Sequence, residues 1–238
     1  MSNNVQARSV WSRVVECDVQ TPAFVIYKKR LREGIKRVAS VCSNANALLL
    51  YSLKPLGHHA VLREFARHCD GFSVCSLSQA RTAKDVSGDA KISVVSPAYL
   101  PSELEEICSL GDYVICNSLG QFDEAMRFRA KSLNLGLRVN PQLSFLKDRR
   151  YDPCAPHSRL GIPLSDLIAM RGDRRLANVS GLHFHTNCDS TDCGELLATI
   201  KKVSNSLDFL LRHVSWINIG GGYLLDDHTD TTPLVEGI

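Results

Sequence analysis

The sequence lacks a long apolar run, an excess of one charge and a pattern of paired cysteines. Its 28 Lys and Arg residues stand against 25 Asp and Glu residues, and the net charge of +3 is scattered along the chain. Charge of this size and distribution does not indicate nucleic acid or a membrane surface as the partner. Residues 1–20 contain no signal-peptide core, and no later stretch is long enough to span a membrane, so we expect a soluble, cytoplasmic protein.

The nine cysteines are odd in number and include no CxxC pair. A chain of 238 residues, 44% of them hydrophobic, can fill a core of its own. Disulfide bonds are then unnecessary, and we expect free thiols. The same composition excludes a disordered tail, a collagen-like fibre and a coiled coil. Chemistry on a small molecule is the better functional hypothesis.

Short apolar runs alternate with segments of helical spacing along the sequence. Alternation at intervals of roughly 20 to 25 residues is typical of an α/β domain with a parallel sheet. Ser102 with Glu105 and Ser118 with Gln121 fit capping boxes at helix starts. One helix is predicted from an apolar stripe of Leu196, Ile200, Val203, Leu207 and Leu210. The predicted strands are residues 23–27, 48–53, 71–75, 92–96, 113–117, 135–140, 181–185 and 216–220.

Two architectures fit this order, an open doubly wound sheet and a closed (β/α)8 barrel. No GxGxxG follows the first strand, whereas Gly220, Gly221 and Gly222 follow a late one, which favours the barrel. If residues 23–27 form a lead-in strand, seven barrel strands remain, and Pro233 then begins a last helical turn. We therefore expect an N-terminal extension, residues 1–20, and a barrel, residues 21–238, that is truncated before its last strand.

Lys54 is the first residue that could carry chemistry. Strand alternation places it on the same face as Ser52, Leu50 and Leu48, which we expect to be the inner face of the sheet. Burial would lower the pKa of its ammonium group toward the range in which an amine forms a Schiff base. The alternative is that Lys54 only marks the end of the strand in solvent.

The glycine triplet, residues 220–222, is the second candidate, because glycine lets the backbone approach an anion and offer it N–H groups. A tight turn needs glycine as well. Lys54 and the triplet would, however, flank one cavity at the catalytic face of a barrel. Together they are more informative than either is alone.

Two further segments are candidates. In GLHFHTNC, His183 and His185 share a strand face with Cys188 near by, which suits a metal site, a ring stacked on a flat cofactor, or merely two core histidines. In YDPCAPHSRLGI, Arg159 could pair with a phenolate or carboxylate, or simply close a surface turn with Gly161.

These motifs, in the order YSLKPL, SLSQAR, LRVNP, YDPCAPHSRLG, GLHFHTNC and WINIGGGY, closely resemble the carboxynorspermidine/carboxyspermidine decarboxylase family. The resemblance extends from about Thr21 to the end of the sequence. It implies membership of the alanine racemase-like, fold-type III group of pyridoxal-phosphate enzymes, with ornithine and diaminopimelate decarboxylases. Those enzymes have a cofactor-binding barrel and a C-terminal β-domain, which would be missing here, and work as homodimers.

The resemblance also implies the role of each motif. Lys54 would hold pyridoxal 5'-phosphate covalently, His185 would stack on its ring, and Gly220, Gly221 and Gly222 would bind its phosphate. Arg159 matches an arginine that faces the phenolic oxygen of the cofactor in some relatives. The implied reaction is decarboxylation of carboxynorspermidine or carboxyspermidine to norspermidine or spermidine in polyamine biosynthesis.

The sequence departs from the family pattern in several places. Gln79 replaces a usual glutamate, and Asn187 and Asp189 differ from the commoner HTLCE. The acidic partner of the ring nitrogen and a cysteine near the reacting carbon lie, in relatives, beyond residue 238. We therefore expect a piece of the enzyme that is inactive alone. The alternatives are a non-catalytic pyridoxal-phosphate-binding barrel and a metal-dependent hydrolase that uses His183, His185 and Cys188.

Overall fold

Eight strands pair in parallel to form one curled sheet, with helices along its outer face. The computed structural model describes residue 12 and residues 19–130, 132–146, 148–225 and 229–232. The strands are β1 (Leu50–Ser52), β2 (Gly71–Val74), β3 (Lys91–Val95), β4 (Tyr113–Cys116), β5 (Asn134–Asn140), β6 (Ile162–Pro163), β7 (Gly181–His183) and β8 (Trp216–Asn218).

Seven of these strands run in the order β1-β2-β3-β4-β5-β7-β8, and the short β6 pairs with β5 alone. Strands β1 and β8 are the two edges of the sheet, so the fold is a half-barrel. Arg37 donates a hydrogen bond of 3.4 Å to the Leu225 carbonyl, which links a helix beside β1 to the segment after β8. The edges therefore curl toward each other, and the predicted parallel α/β barrel fold is confirmed.

Helices connect successive strands. They are α1 (Lys28–Asn44), α2 (His59–Phe65), α3 (Leu77–Val86), α4 (Pro101–Leu110), α5 (Leu119–Met126), α6 (Leu164–Ala169), α7 (Cys193–Ser206) and α8 (Asp208–Leu211), with 3-10 turns at Arg149–Tyr151 and Arg174–Asn178. The core lies between these helices and the outer face of the sheet, where Phe72, Phe122 and Phe184 are fully buried. Burial of such rings contributes roughly 2 kcal/mol or more each, so this layer holds the half-barrel together.

Glu64 of α2 connects the first two helices. Its carboxylate accepts bonds of 2.7 and 3.0 Å from Arg32 of α1. Arg67 donates to the same carboxylate at 3.3 Å. The hydrogen bonds and charge of Arg32 lower the pKa of Glu64 to about 2. The carboxylate is thus ionised at neutral pH, and it keeps α1 and α2 together beside the β1 edge.

The capping box predicted at Ser118 is confirmed in part. The Ser118 hydroxyl accepts the Gln121 N–H at 3.2 Å, while the Gln121 side-chain oxygen accepts the N–H of Asn117, one residue before the cap. Ser76 and Gln79 repeat the arrangement at α3, where the Gln79 side chain accepts the N–H of Cys75. The box predicted at Ser102 is wrong, because α4 begins one residue earlier at Pro101 and has no side-chain cap.

Two other predictions need correction. Residues 23–27 form no strand, and Phe24 is fully exposed among the residues that the structure describes. Hydrophobicity alone predicted a strand there, but no neighbouring strand edge pairs with this segment. The stripe from Leu196 to Leu210 spans two helices, because α7 ends at Ser206 and α8 begins at Asp208. Pro233 lies outside the described residues.

The eight described cysteines are free thiols, as expected, and only Cys188 among them is exposed. Burial raises the pKa of the Cys116 thiol to about 12. The buried thiols among them therefore behave as small apolar side chains. In the part of the chain that the structure describes, no helix is long and apolar enough to cross a membrane.

Candidate functional site

The candidate site lies at the carboxyl ends of β1, β5, β7 and β8, where the chain leaves the sheet. In parallel sheets these ends share one edge, and loops that leave it can bring distant residues together. Lys54 follows β1, Arg159 lies in the segment between β5 and β6, and His185 follows β7. The glycine triplet follows β8. Each predicted site residue therefore lies in a segment that leaves the sheet at the same edge.

Lys54 is exposed, which corrects the expectation that its ammonium is buried. Tyr51 stacks on Phe65 of α2, with ring centroids 3.5 Å apart, and Leu53 is buried. β1 ends at Ser52, so Lys54 lies in the turn that follows the strand, and the predicted continuation of strand alternation to Lys54 is wrong. The side chain is exposed because β1 is an edge strand with a neighbour on one side only. The Tyr51 hydroxyl donates to the Leu56 carbonyl at 3.0 Å and so fixes the loop that carries Lys54.

His185 is half-buried and lies close to positive charge. Burial, the Arg138 guanidinium and the Lys54 ammonium, in that order, lower the pKa of its imidazole. Lys54 thus adds positive charge to the surroundings of His185. The Nδ1 atom of His185 accepts the Gly221 N–H at 3.3 Å. Nδ1 therefore carries no proton, and the neutral ring is protonated at Nε2.

His183 is fully enclosed by the interior of the half-barrel, where it is 4% exposed. Burial first, then Arg138 and His185, lower the pKa of His183 to about 3. Its Nδ1 lies 3.2 Å from the Asn218 carbonyl, and since a carbonyl oxygen only accepts, Nδ1 is the donor. His183 is thus a neutral core histidine that joins β7 to β8.

The glycine triplet folds against the end of β7. Gly220 and Gly222 have φ angles of +77° and +90°, where glycine is favoured. A Cβ at Gly220 would lie 2.5 Å from the Phe184 carbonyl oxygen, and one at Gly222 would overlap the Asn187 carbonyl. A Cβ at Gly221 would meet nothing within 4 Å. The turn thus needs two of its glycines for its own shape, and its middle residue faces open space.

The loop after His185 is held by α7. Glu195 accepts hydrogen bonds from the Asn187 amide and, at 2.6 Å, from the Ser190 hydroxyl. The Thr186 hydroxyl donates to the Asn187 side-chain oxygen at 2.7 Å. Asn187, where the sequence departs from the commoner family pattern, therefore has a structural role in this chain. Cys188 is exposed at the tip of the loop.

Arg159 is exposed, and its backbone is held by Asn117 at the end of β4. The Asn117 side chain donates to the Arg159 carbonyl at 2.7 Å and accepts the Gly161 N–H at 2.7 Å. On the other side of this segment, the buried Cys154 thiol lies 3.7 Å from the His185 carbonyl. The loop thus contacts both neighbouring strand ends. A cavity of about 350 Å³ opens within the same segment, beside Gln142, Arg149 and Cys154.

The sequence interpretation missed Arg138, Asn117 and Trp216. Arg138 lies within β5 and is only 8% exposed. A charged residue inside the apolar run LGLRVN could have indicated a buried cation from the sequence alone. The Trp216 ring covers Gly181 on the neighbouring β7 and Gly136 on β5, and it meets the Tyr113 ring edge-on, with centroids 5.2 Å apart. Trp216 therefore closes the floor of the half-barrel interior.

Metal-ligand geometry is absent from the described part of the chain. No three His, Cys, Asp or Glu side chains there converge on a point that could hold an ion. His183 is engaged with Asn218, and Cys188 points out of an exposed loop. The arrangement therefore gives no support to the metal-dependent hydrolase.

The chain is similar to decarboxylases in both sequence and structure, although no family model matches it. A solved carboxynorspermidine decarboxylase from Campylobacter jejuni, in complex with norspermidine, superposes with a TM-score of 0.79 and 28% identity over 92% of this chain and 55% of that one. The half-barrel is therefore of the class found in decarboxylases of amino-acid-type substrates.

Comparison with curated protein sequences identifies more specific relatives of the chain. The carboxynorspermidine/carboxyspermidine decarboxylase of Campylobacter jejuni is 31% identical over 205 residues, which are 86% of this chain and 52% of the relative. The carboxyaminopropylagmatine decarboxylase of a Synechocystis species is 27% identical over 206 residues, with 86% and 52% covered. The predicted resemblance to carboxynorspermidine/carboxyspermidine decarboxylases is thus confirmed. The chain spans about half the length of these relatives.

Proposed function

We propose that this chain binds pyridoxal 5'-phosphate and forms the cofactor-binding half of a decarboxylase of carboxynorspermidine or carboxyspermidine, with norspermidine or spermidine as the product. The proposal places the enzyme in polyamine biosynthesis, in the cytoplasm and as a homodimer in its full-length form. The named activity of the relatives and the arrangement of the strand ends support it.

One observation carries the proposal: Lys54, His185 and the glycine triplet come together from β1, β7 and β8. Lys54 is more than a hundred residues from His185 in sequence, yet its charge acts on the imidazole, and His185 accepts the Gly221 N–H. An exposed amine, a neutral ring and a glycine turn are the groups needed to hold a flat aldehyde with a phosphate. A covalent cofactor site accounts for all three.

The residues fit this cofactor in their chemistry. The Lys54 side chain is exposed and free to reach an aldehyde carbon, and no acidic residue among the described ones pairs with it. His185 offers an uncharged ring face, because its surroundings disfavour the protonated form. Open space at Gly221 leaves room for a phosphate beside the turn. Arg159, on an anchored loop, would contribute a guanidinium to the ring oxygen.

When bound, pyridoxal phosphate supplies the electron sink for loss of CO2. The chain would position that chemistry through its own groups. Lys54 would hold the cofactor and give it up to the substrate amine, while His185 would keep the ring from tilting. Asn117 and Glu195 would keep the loops on either side of the ring in place, through the hydrogen bonds described above.

Trapping on Lys54 is the direct test of the cofactor proposal. The 238-residue protein is mixed with pyridoxal phosphate and reduced with borohydride, and its peptides are then mapped. We expect one adduct, on Lys54, which is lost in Lys54→Ala and retained in Lys91→Ala, where an exposed lysine at the opposite end of the sheet is removed. An adduct spread over surface lysines, and undiminished in Lys54→Ala, would overturn the proposal.

The decarboxylation step needs its own assay. CO2 release from carboxynorspermidine and carboxyspermidine is measured with cofactor-loaded protein, and sedimentation gives its oligomeric state. Release of CO2 that depends on Lys54 supports the decarboxylase. Specific cofactor binding without CO2 release supports the alternative, a non-catalytic cofactor-binding barrel.

A further inference from the structure

The cavity in the segment between β5 and β6 has no part in the cofactor site described above. Its volume is about 350 Å³. Apolar side chains such as Leu146 line it together with the charged side chains of Arg149 and Asp152. Cavities of this size hold small organic molecules, and a few polar groups among apolar ones fix their orientation. The cavity is therefore large enough for part of a small ligand.

Cys154 connects the cavity to the surroundings of His185. The thiol belongs to the cavity wall and lies 3.7 Å from the His185 carbonyl. Burial first, then the Asp152 carboxylate, raise the pKa of this thiol to about 12, whereas the charges of Arg138 and Lys202 lower it. Cys154 is thus close to the cavity and to the interior of the half-barrel at once, and the cavity and the candidate site are neighbours.

Asp152 brings a negative charge to the cavity. The residue is half-buried, and one of its carboxylate oxygens accepts the Cys154 N–H at 2.8 Å. Within the described residues no Lys, Arg or His forms an ion pair with it. Asp148, four residues earlier, is different, because Arg150 donates to its carboxylate at 2.7 Å. The second oxygen of Asp152 is therefore available to a ligand.

The other charged groups near the candidate site are cationic, engaged or exposed. Lys54 and Arg138 are the charges that act on His185. The Glu195 carboxylate already accepts hydrogen bonds from two side chains. Asp189 is exposed and is not among the residues that line the cavity. A ligand with several ammonium groups needs a negative charge that offsets such cations, and Asp152 is placed to supply it.

We propose that the cavity takes the free amino end of a polyamine-type substrate and that the Asp152 carboxylate binds its terminal ammonium group. The direction of the substrate, with its reacting end at Lys54, rests on the proposed function. The methylene groups of the substrate would lie against Leu146 and Ala155 of the wall. An ammonium on a half-buried carboxylate oxygen makes a charge-assisted hydrogen bond. Asp152 would thus determine specificity for a substrate that ends in an amine.

Arg149 lines the same cavity and carries the opposite charge. Its side chain is exposed and forms no ion pair or hydrogen bond within the part of the chain that the structure describes. Its guanidinium would repel an ammonium bound at Asp152. Loss of Asp152 and loss of Arg149 should therefore change amine binding in opposite directions. A structural role of these residues would not produce opposite signs.

Calorimetry of norspermidine binding to the 238-residue protein, without added cofactor, tests the proposal. Asp152→Asn keeps an oxygen for the Cys154 N–H but loses the charge, and we expect it to weaken binding at least about tenfold, or about 1.4 kcal/mol. Asp152→Glu should retain most of the affinity. We expect Arg149→Met to strengthen binding about twofold. Asp148→Asn, which removes a carboxylate engaged with Arg150, is the matched control and should leave the affinity unchanged.

Glutarate, a dicarboxylate, tests the reverse assignment of the cavity. Tighter binding of glutarate than of norspermidine, lost in Arg149→Met, would make the cavity an anion site and overturn the proposal. Equal norspermidine affinity of the parent protein and Asp152→Asn, or no norspermidine binding at all, overturns it as well. Urea unfolding shows whether Asp152→Asn is folded. If it is not, Arg149→Met decides, and the absence of any gain in affinity then counts against the proposal.

The amine site and the proposed function can fail separately. Norspermidine binding that depends on Asp152, in a protein that forms no adduct on Lys54, would leave the amine site standing and refute the cofactor proposal. An adduct on Lys54 together with norspermidine binding that ignores Asp152 would refute the amine site and leave the cofactor proposal standing.

Discussion

The main-chain N–H of Gly221 donates to Nδ1 of His185 across 3.3 Å. This bond joins the turn after β8 to the end of β7 and uses the one ring nitrogen that could otherwise accept a proton there. Although Gly221 and His185 are 36 positions apart in sequence, the bond between them keeps the imidazole in a single orientation. A ring fixed at Nδ1 presents its faces and its Nε2–H to whatever lies between β7 and β1.

Substitution of His185 should affect cofactor retention more than cofactor attachment. His185→Ala removes a ring face but leaves the Lys54 amine, so we expect an adduct on Lys54 that forms but is lost several times faster on desalting before reduction. The measurement is the adduct yield after a timed gel-filtration step. His213→Ala, which removes an exposed histidine before β8, is the control. Complete loss of attachment in His185→Ala would contradict this division of roles.

The three glycines of the turn should respond differently to alanine. Gly220→Ala forces a side chain into a left-handed conformation and should lower the free energy of unfolding by about 1–2 kcal/mol, or by more if the contact with Phe184 cannot relax. Gly221→Ala meets open space, and we expect a change within about 0.5 kcal/mol together with weaker binding of pyridoxal phosphate. Urea unfolding and cofactor titration measure the two effects. Equal stability of the two variants would show that the turn does not constrain its glycines.

Stability should fall in mild acid because of His183. The folded protein holds the pKa of this imidazole at about 3, whereas an unfolded histidine titrates near 6.5. Between those values the unfolded chain binds a proton that the folded chain does not, so the stabilisation present above pH 6.5 is lost as the pH falls. For His183 alone the loss between pH 7 and pH 5 is up to about 2 kcal/mol.

Comparison with His183→Leu isolates this contribution. The variant loses the bond to Asn218, so its unfolding free energy is lower at neutral pH, but its decrease between pH 7 and pH 5 should be smaller than that of the parent chain. Urea unfolding at both pH values provides the measurement. Parallel pH profiles for the two proteins would mean that His183 does not resist protonation.

Asn117 should control the loop that carries Arg159. Asn117→Ala removes both side-chain hydrogen bonds to residues 159 and 161, so we expect faster proteolysis between residues 148 and 161 and weaker cofactor binding. Asn134→Ala is the matched control, because the Asn134 side chain donates at 3.1 Å to the Asp112 carbonyl at the opposite end of the sheet. Limited proteolysis followed by mass spectrometry compares the two. Identical cleavage patterns would show that Asn117 does not hold the loop.

Local sequence patterns were enough to predict the elements of the fold. Seven of the apolar runs form the main path of the sheet, because a buried parallel strand must be apolar along its length and must end where the chain turns. Ser118 and Gln121 predicted a helix start for the same kind of reason, since a cap needs only neighbouring residues. Residues 23–27 have the same apolar character and still form no strand, because pairing requires a free edge in the right place.

The sequence by itself determined the alternation of strands and helices, the candidate residues and the glycine turn, since each depends on spacing within a short segment. Only the tertiary structure decided that Lys54 is exposed, that Gly221 binds His185 and that Arg138 is buried without an acidic partner. Burial and charge depend on which strands are neighbours and which edge stays open. Those relations join residues far apart in the chain, so they arise only when the sheet curls.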